Sequence, residues 1–430
     1  MEYPDRYLRW LFILGIWLFA EVGGYYGLKR LGLWRRWVGW STAGIFGLLL
    51  MIYIIGYVVM QKPPSRFSLL LAQEIGGIVF LIWIATILGK LLGGVFGLSI
   101  GLWKWLRKQK AHRLLAKLFG SNTLRANTSD PSDFSEERRA IIKAVGVALI
   151  SLPAIGFGYG FWIGRYRFRV HEVEIGLASL PKAWDGITIV QFSDLHSGSF
   201  VSSQALIPVW EEINRLQSDI LVFTGDWVNI YSWELEPFVE DLRRLEARLG
   251  KWAVLGNHDY GDYARWSDPK AKAADRAHLH HLIKEARFYL LEDSTYTLES
   301  SGEKLTLVGV GNWSGWRRSQ RYGDLRKAWQ SVPLGAFSIL LSHDPTHWEL
   351  QVKGQFPIPL TLSGHTHGLQ VGIEWGRWKV SPAAWLYRHW AGLYYEEGQY
   401  LYVNRGVGYV GVPARIGIWP EITFLRLRRK

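Results

Sequence analysis

The chain has 430 residues, a formal net charge of +13 and no cysteine, so disulfide bonds, thiolate metal sites and cysteine nucleophiles are excluded. Its first 168 residues hold 21 lysines and arginines against 8 acidic residues, which accounts for the whole net charge. This basic excess lies in short segments between long apolar runs, a pattern typical of membrane proteins and not of a folded nucleic-acid-binding domain. We therefore expect a membrane protein with no nucleic-acid partner.

Four apolar stretches near the start of the chain are long enough to cross a membrane, which takes about 20 residues in a helix. They cover residues 8–28, 37–60, 68–103 and 144–164. The third is long for a single span, so one tilted helix and a pair of short helices are both open, and we favour the single helix. We predict that residues 1–165 form an all-α transmembrane region with about four helices.

Basic segments follow the first and third apolar stretches, and the positive-inside rule places both in the cytoplasm. With four spans, everything after residue 165 then lies on the outer, periplasmic side of a cell inner membrane, whereas five spans would leave it in the cytoplasm. Arg138 and Arg139 precede the fourth stretch in a pattern that resembles the twin-arginine export signal, or they simply mark the cytoplasmic end of a membrane helix. Both interpretations export the downstream part of the chain.

From residue 187 onward, short apolar segments rich in β-branched residues alternate with helix-like segments. This alternation predicts a layered α/β domain over residues 166–430. A helix is expected near residues 204–216. Strands are expected at residues 187–192, 220–224, 252–255, 305–310, 338–341, 359–362, 400–403 and 422–427.

Polar side chains follow the predicted strands at the point where each strand ends. Asp194 and His196 come after the first strand, and Asp226 ends the next. Because ligand sites of α/β folds form at the ends of strands, we expect these side chains to converge there. Asp194 and His196 are two residues apart, so in extended backbone both side chains leave the same face and can chelate one ion. The Asp226 carboxylate has two oxygens and can bridge two cations, which an imidazole cannot do.

Four further residues of ligand type complete the pattern. Asn257 offers a neutral amide oxygen, and His343, His365 and His367 offer imidazole nitrogens, which suit Mn, Fe or Zn better than Mg or Ca. His365 and His367 are again two residues apart, so they could bind adjacent ions, one each. Single residues of these kinds usually serve turns or structure, but their order and their strand-end positions together favour a two-metal hydrolase.

The motifs resemble those of the calcineurin-like metallophosphoesterases over the region from residue 170 to the C terminus. They are Asp194-Leu195-His196, Gly225-Asp226, Gly256-Asn257-His258-Asp259, Ser342-His343 and Gly364-His365-Thr366-His367.

The resemblance implies a layered β-sandwich flanked by helices and a centre of two divalent metal ions. One ion would be held by Asp194, His196, Asp226 and His367, and the other by Asp226, Asn257, His343 and His365. A water or hydroxide between the ions would be the nucleophile. His258 would stabilise the transferring phosphoryl group or protonate the leaving oxygen, with Asp259 holding its ring.

Within the family, the resemblance is to membrane-attached or twin-arginine-exported bacterial enzymes. It implies a membrane-anchored hydrolase that cleaves a phosphomonoester or phosphodiester, and the adjacent membrane favours a lipid or lipid-linked substrate. The alternatives are a UDP-2,3-diacylglucosamine-type pyrophosphate hydrolase of lipid A synthesis, which the outward topology disfavours, and a non-catalytic membrane receptor or scaffold. One departure is the segment Trp227-Val228-Asn229, since many relatives carry a charged residue three positions after Asp226. Leaving-group recognition can therefore differ.

Several other residues allow more than one interpretation. His278, His280 and His281 form either a solvated helix, which we favour, or a second metal cluster. Four arginines are either phosphate contacts or members of surface ion pairs, namely Arg377, Arg388, Arg405 and Arg415.

Tryptophans are concentrated after the last motif. They either wall the substrate cleft, touch lipid, or pack beneath a long loop. The four are Trp375, Trp378, Trp385 and Trp390.

Overall fold

The computed structural model describes residues 24–29, 44, 47, 66–119, 136–316, 320–376 and 378–430. The chain divides into two units. The first covers Met1–Gly56 and Gly76–Gly158, and the second covers Tyr57–Ile75 and Tyr159–Lys430. The predicted membrane stretches at residues 8–28 and 37–60 lie outside the described residues, apart from a few positions.

Two long helices dominate the described part of the first unit. Helix α1 covers Arg66–Phe119 without a break, so the single-helix alternative holds for the third apolar stretch, and α2 covers Glu136–Trp162. Within the described residues, these two helices are long and apolar enough to cross a membrane. Two of the about four predicted membrane helices are therefore present in the described residues.

Glycines let these helices approach closely. A Cβ atom added at Gly89 of α1 would lie 2.5 Å from the carbonyl oxygen of Ile150 in α2, and one added at Gly93 would lie 2.6 Å from the side chain of the same residue. Small residues at such crossings are typical of helix packing inside membranes, where close backbone contact replaces the hydrophobic driving force available in water.

The second unit is built on strands. In chain order they are β1 Arg169–Leu177, β2 Thr188–Phe192, β3 Ile220–Phe223, β4 Gly250–Ala253, β5 Tyr289–Leu290, β6 Ser294–Ser300, β7 Glu303–Gly309, β8 Phe337–Leu341, β9 Leu360–Ser363, β10 Ile373–Trp375, β11 Trp378–Val380, β12 Gly392–Glu396, β13 Gln399–Val403 and β14 Glu421–Arg429. All eight predicted strands are present, and their ends differ from the prediction by at most two residues.

The strands form two six-stranded sheets and a separate ribbon. The first sheet has the order β1-β14-β2-β3-β4-β5, the second has the order β12-β13-β9-β8-β7-β6, and β10 pairs with β11. The run from β2 to β5 is parallel, as is the run from β7 through β8 and β9 to β13. Every residue of β3, β8 and β9 is buried, as expected for parallel strands that are covered on both faces.

The two sheets pack face to face, with helices on their outer sides. Val222 and Trp252 of the first sheet share a core with Ile339 and Leu362 of the second. The outer helices are α3 Ile207–Arg215, α4 Val239–Arg243, α5 Pro269–Glu285, α6 Leu325–Trp329 and the single turn α7 Pro345–His347. Apolar residues of α3 and α5 cover the first sheet and those of α6 cover the second, so the predicted layered α/β fold is confirmed.

Candidate metal centre

The predicted metal ligands all follow parallel strands of the two sheets. Asp194 and His196 come after β2, Asp226 after β3, and Asn257 after β4. In the second sheet His343 comes after β8, and His365 and His367 come after β9. Because the carboxyl ends of parallel strands lie at one edge of a sheet, the packing of the two sheets brings six of these side chains, all except that of Asn257, into two clusters.

The backbone at these positions is unusual. Asp194, His196, Asp226, His365 and His367 have φ values between +47° and +73°, in the left-handed region that non-glycine residues rarely adopt. Such conformations cost of the order of 1–3 kcal/mol each and cluster at functional sites. The expectation that Asp194 and His196 lie in extended backbone is therefore wrong, because β2 already ends at Phe192. Tight left-handed turns, and not strand alternation, aim both side chains inward.

The first cluster contains Asp194, His196 and His367, whose ligand atoms lie within 4.8 Å of one another. The Nε2 atoms of His196 and His367 are 3.1 Å apart, and Nε2 of His367 is 3.2 Å from Oδ1 of Asp194. All three residues are buried.

The second cluster contains Asp226, His343 and His365. Oδ2 of Asp226 lies 3.1 Å from Nε2 of His343, and that nitrogen lies 3.2 Å from Nδ1 of His365. The same Asp226 oxygen is 3.5 Å from Nε2 of His196 in the first cluster. Asp226 thus lies between the two clusters, and His365 and His367 belong to different ones.

Asn257, in the loop that follows β4, has an unused acceptor. Its Nδ2 donates to the Tyr263 hydroxyl at 2.8 Å. This hydrogen bond fixes the amide in an orientation in which Oδ1 remains without a donor. This oxygen is buried and has no hydrogen-bond partner among the described residues. An orphaned buried carbonyl oxygen is costly unless a cation or another donor satisfies it.

Burial and neighbouring charges set the protonation of the site. Burial lowers the pKa values of His196, His365 and His367 below that of a free imidazole. Burial alone would raise the pKa of Asp226, but His343 and His258 hold it well below its usual range. The neutral imidazoles and the ionised carboxylate have the protonation states that metal binding requires.

These donors fit divalent cations of the transition series. Two neutral imidazole nitrogens that face each other at 3.1 Å share at most one proton, whereas a cation can accept both lone pairs. The set of imidazoles, carboxylates and one amide oxygen suits Mn, Fe or Zn.

Residues outside the two clusters orient the imidazole rings of His343 and His365. Nδ1 of His343 donates to the carbonyl oxygen of Thr224 at 2.7 Å, so Nε2 is the nitrogen turned toward Asp226. The Tyr387 hydroxyl lies 3.0 Å from Nε2 of His365. Such partners fix the tautomer and orientation of metal-binding histidines. Tyr387 was not predicted, and no motif in the sequence marks it.

Arg415 lies behind the first cluster and is fully buried. Its Nη2 lies 2.9 Å from Nδ1 of His367 and donates to the carbonyl oxygen of Arg405 at 2.8 Å. Arg405 is also buried and forms ion pairs with Glu421 and Glu374. Neither arginine therefore forms the surface ion pair considered from the sequence.

His258 lies at the edge of the clusters, and its ring is held differently from the prediction. Nδ1 of His258 is 2.7 Å from the carbonyl oxygen of Asn229, and its ring centroid is 4.8 Å from that of His196. A ligand atom of His258 also lies within 4.8 Å of those of His196 and Asp226. The expectation that Asp259 holds this ring is wrong, since a backbone carbonyl from the loop after β3 does so.

Asp259 instead organises the loop that carries Asp226. Its carboxylate accepts hydrogen bonds from the backbone N–H groups of Asp226, Trp227, Val228 and Gly256, at 2.8–3.3 Å. These bonds tie the loops after β3 and β4 together. Asp259 thus acts on the position of Asp226 and not on the His258 ring.

Replacing Asp259 with asparagine is expected to lower the free energy of unfolding by about 2–4 kcal/mol, because an amide nitrogen would then face two buried N–H donors. Thermal unfolding of the metal-free protein, followed by circular dichroism, measures this loss. His258→Asn is the control, and its unfolding temperature should match that of the wild type. An unchanged unfolding temperature in Asp259→Asn would contradict the structural role.

Metal binding is expected to release a proton from His343. Burial alone would lower the pKa of His343, but the Asp226 and Asp194 carboxylates raise it to about 10. We therefore expect the metal-free protein to carry a proton on this imidazole at neutral pH, which a cation must displace. The apparent metal affinity should rise with pH between about 7 and 9, by up to about tenfold per unit.

Titration calorimetry in buffers of different ionisation enthalpy measures the released proton. The variant His281→Gln, which changes an exposed histidine paired with Glu285 at 3.4 Å, should release the same number. A metal affinity that does not change with pH would contradict the assignment of His343.

A cavity of about 230 Å³ opens beside His258. Its walls include the polar residues Ser199 and Asn229 and the less polar residues Ile230, Tyr263 and Val410. Asn229 belongs to the segment Trp227-Val228-Asn229, and its Nδ2 donates to the Ser199 hydroxyl at 2.9 Å. The cavity can therefore accommodate a group that leaves from the metal centre on the His258 side.

The other histidine group does not form a cluster. His278, His280 and His281 lie on α5, and the nearest carboxylates to the three imidazoles belong to Glu236, Glu292 and Glu285, respectively. The favoured interpretation as a partly solvated helix agrees with these separate pairings.

Comparison with known proteins identifies the family of the chain. The sequence pattern of the calcineurin-like phosphoesterases matches residues 187–369. The metallophosphoesterase YkuE of Bacillus subtilis is 30% identical over 279 residues, which are 64% of this chain and 90% of that protein. The UDP-2,3-diacylglucosamine pyrophosphatase LpxG of Chlamydia trachomatis is 30% identical over 316 residues, covering 62% of this chain and 92% of that protein.

A third relative carries the word transmembrane in its name. The transmembrane protein with metallophosphoesterase domain of Danio rerio is 31% identical over 292 residues, which are 66% of this chain and 62% of that protein. Together with the two apolar helices, this likeness indicates that the chain is associated with a membrane. The identity and coverage shared with YkuE, together with the matching sequence pattern, show that the chain belongs to the calcineurin-like phosphoesterase family and is a phosphoester hydrolase.

Proposed function

We propose that the protein is a membrane-anchored phosphoesterase that uses two divalent metal ions to hydrolyse a phosphomonoester or phosphodiester. The observation that carries this proposal is the position of Asp226, whose Oδ2 lies within 3.5 Å of an imidazole nitrogen in each of the two clusters. A carboxylate at this position can bind two cations at once.

Each ion has four proposed ligands. Asp194, His196, Asp226 and His367 would hold one ion, and Asp226, Asn257, His343 and His365 would hold the other. Mn, Fe and Zn are the metals that suit these donors. Bound cations of this kind lower the pKa of water toward neutrality and offset the charge of a phosphoryl group.

His258 is the proposed catalytic residue beside this centre. With Nδ1 directed at the Asn229 carbonyl oxygen, Nε2 is the atom free to hold a proton for the leaving oxygen or to contact the phosphoryl group. Asp259 supports the reaction from a distance by fixing the loop of Asp226. The cavity next to His258 would receive the leaving group.

A lipid or lipid-linked phosphoester is the substrate class we favour. The likeness to LpxG, a UDP-2,3-diacylglucosamine pyrophosphatase by name, supports a substrate of this kind, and the membrane association supports it independently. The second candidate function is hydrolysis of UDP-2,3-diacylglucosamine itself in lipid A synthesis. The name of the same relative, LpxG, supports this candidate. A non-catalytic receptor or scaffold would be expected to have lost ligands, and all seven are present.

We place the catalytic domain at residues 166–430 and the membrane region, with about four helices, at residues 1–165. The basic segments support a multi-pass arrangement in a cell inner membrane with the catalytic domain on the periplasmic side. Protease protection in oriented vesicles tests this sidedness. A result that places the catalytic domain on the cytoplasmic side of the vesicle membrane would overturn the proposed sidedness.

Metal-dependent hydrolysis by the purified full-length protein tests the function. The protein is stripped with a chelator, reloaded with Mn, Fe or Zn, and assayed against lipid phosphates, nucleotide-sugar lipids, nucleotides and an aryl phosphodiester. We expect activity that the chelator removes and one of the metals restores. Full metal occupancy without hydrolysis of any of these compounds would favour the receptor alternative.

A further inference from the structure

The ribbon of β10 and β11 presents an apolar face to its surroundings. Its register pairs Ile373 with Val380 and Trp375 with Trp378, so these four side chains share one face. Each is between 65% and 83% exposed. Large apolar side chains in an amphipathic ribbon normally face the protein, and here they face away from it.

The opposite face of the ribbon is charged and is attached to the protein. Glu374 pairs with Lys379 across the two strands, and its carboxylate accepts a hydrogen bond from Nη2 of the buried Arg405 at 2.5 Å. The ribbon is therefore held in this orientation by an ion pair. An apolar face that is fixed outward in this way is suited to an apolar partner.

The loop that follows the ribbon extends the same surface. Trp385 is 87% exposed, and Leu386 beside it is also exposed. Trp390, in contrast, is buried in a small core with Ile418. Of the four tryptophans after the last motif, three are thus available to an external partner and one packs inside the fold.

The ribbon begins close to the end of helix α2. The backbone N–H of Arg415 donates to the carbonyl oxygen of Gly160 in the last turn of α2 at 3.2 Å. The next residue, Ile416, forms an isolated β-bridge with Val371, and its carbonyl oxygen accepts from Gly372 at 2.8 Å. The apolar face of the ribbon therefore starts a few residues from the point where an apolar helix of spanning length ends.

We propose that the ribbon and the Trp385 loop insert into the headgroup region of the membrane that α2 enters. Tryptophan is favoured at this depth because its ring is apolar while its N–H can still bind water or headgroups. The backbone hydrogen bonds from Arg415 to Gly160 and from Gly372 to Ile416 hold the start of the ribbon beside the last turn of α2, and so bring the apolar face to the bilayer surface. Tyr387, two residues after Trp385, contacts His365, so this insertion would hold the metal centre beside the lipid.

The absence of cysteine from the chain allows a site-specific test. A single cysteine is introduced at Trp375, labelled with an environment-sensitive fluorophore, and the full-length protein is reconstituted into phosphatidylcholine–phosphatidylglycerol vesicles. We expect a blue-shifted emission that spin-labelled lipids quench and aqueous iodide does not. The matched control is Leu334→Cys, at a fully exposed position in the loop between α6 and β8, which iodide should quench instead.

A second pair of variants compares the two faces of the ribbon. Trp378→Cys should be quenched by lipid more strongly than Lys379→Cys, its neighbour on the charged face. Quenching of Trp375→Cys and Trp378→Cys by iodide, to the extent seen for Leu334→Cys, would overturn the proposal. Protection from both quenchers would also overturn it, because the face would then be covered by protein, such as a second copy of the chain. None of these outcomes depends on hydrolytic activity.

Discussion

Replacing Asp226 with asparagine is expected to lower the rate of phosphoester hydrolysis by about 10³-fold or more, because the negative charge proposed to bridge two cations would disappear. The amide also places an N–H₂ group, which donates and cannot bind a cation, at one of the two carboxylate oxygens. Asp226 Oδ1 accepts the backbone N–H of His258 at 2.9 Å, and the remaining amide oxygen can keep this bond. The loop should therefore retain its shape while activity is lost.

The measurement is kcat/KM for an aryl phosphodiester together with the metal content of the purified protein. Asp241→Asn, on helix α4 outside the site, is the matched control and should behave as the wild type. A variant Asp226→Asn with wild-type rate and two bound metals would rule out the two-metal assignment.

Replacing His258 with asparagine is expected to reduce kcat by about 10²–10⁴-fold, the usual contribution of a positioned general acid. The loss should depend on the leaving group. An alkyl leaving oxygen is basic and needs a proton, whereas a nitrophenolate does not, so the alkyl ester should lose more activity. Comparing the two substrate types in His258→Asn and in the wild type measures this difference.

The metal content of His258→Asn separates two roles for this residue. His258 lies near enough to His196 and Asp226 to be a ligand. If it were one, the variant would lose metal, and both substrate types would be affected equally. Unchanged metal content with a leaving-group-dependent loss is the outcome that supports proton donation. His281→Gln, at an exposed position on α5, should change neither quantity.

The sequence predicts the central strands well because they are covered on both faces. β3, β8 and β9 appear as short apolar runs. The missed strands lie at sheet edges or in the ribbon, and their burial is mixed. In β6, for example, no residue is buried. Nothing in such a polar segment distinguishes a strand from a loop until a neighbouring strand is known.

Side-chain chemistry predicts the candidate ligand set, whereas the residues that support it could not be predicted. The seven ligand-type residues are distinctive in type and order. The backbone conformations that aim them inward arise from tight turns after the strands, and the sequence does not show these turns. The partner of the His258 ring is the carbonyl oxygen of Asn229. A sequence motif does not reveal a contact with a backbone atom of another loop. The prediction that the neighbouring Asp259 holds the His258 ring was therefore wrong.

Tyr387 and Arg415 illustrate the same limit at longer range. They follow His365 and His367 by 22 and 48 positions, respectively, and reach those rings only because the intervening segments fold back. Residue type alone does not reveal contacts of this kind. They depend on the path of loops between strands.

The loops that carry the ligands are joined to one another by their own backbone. The N–H of Asp194 donates to the carbonyl oxygen of Gly225 at 2.9 Å, and the N–H of Gly364 donates to that of His343 at 2.9 Å. The site is therefore preorganised by hydrogen bonds that need no metal, and cation binding does not have to order these loops. If the proposed cations bind here, their exchange would not require unfolding, and the supply of ions in the compartment of the enzyme would then decide which metal is bound.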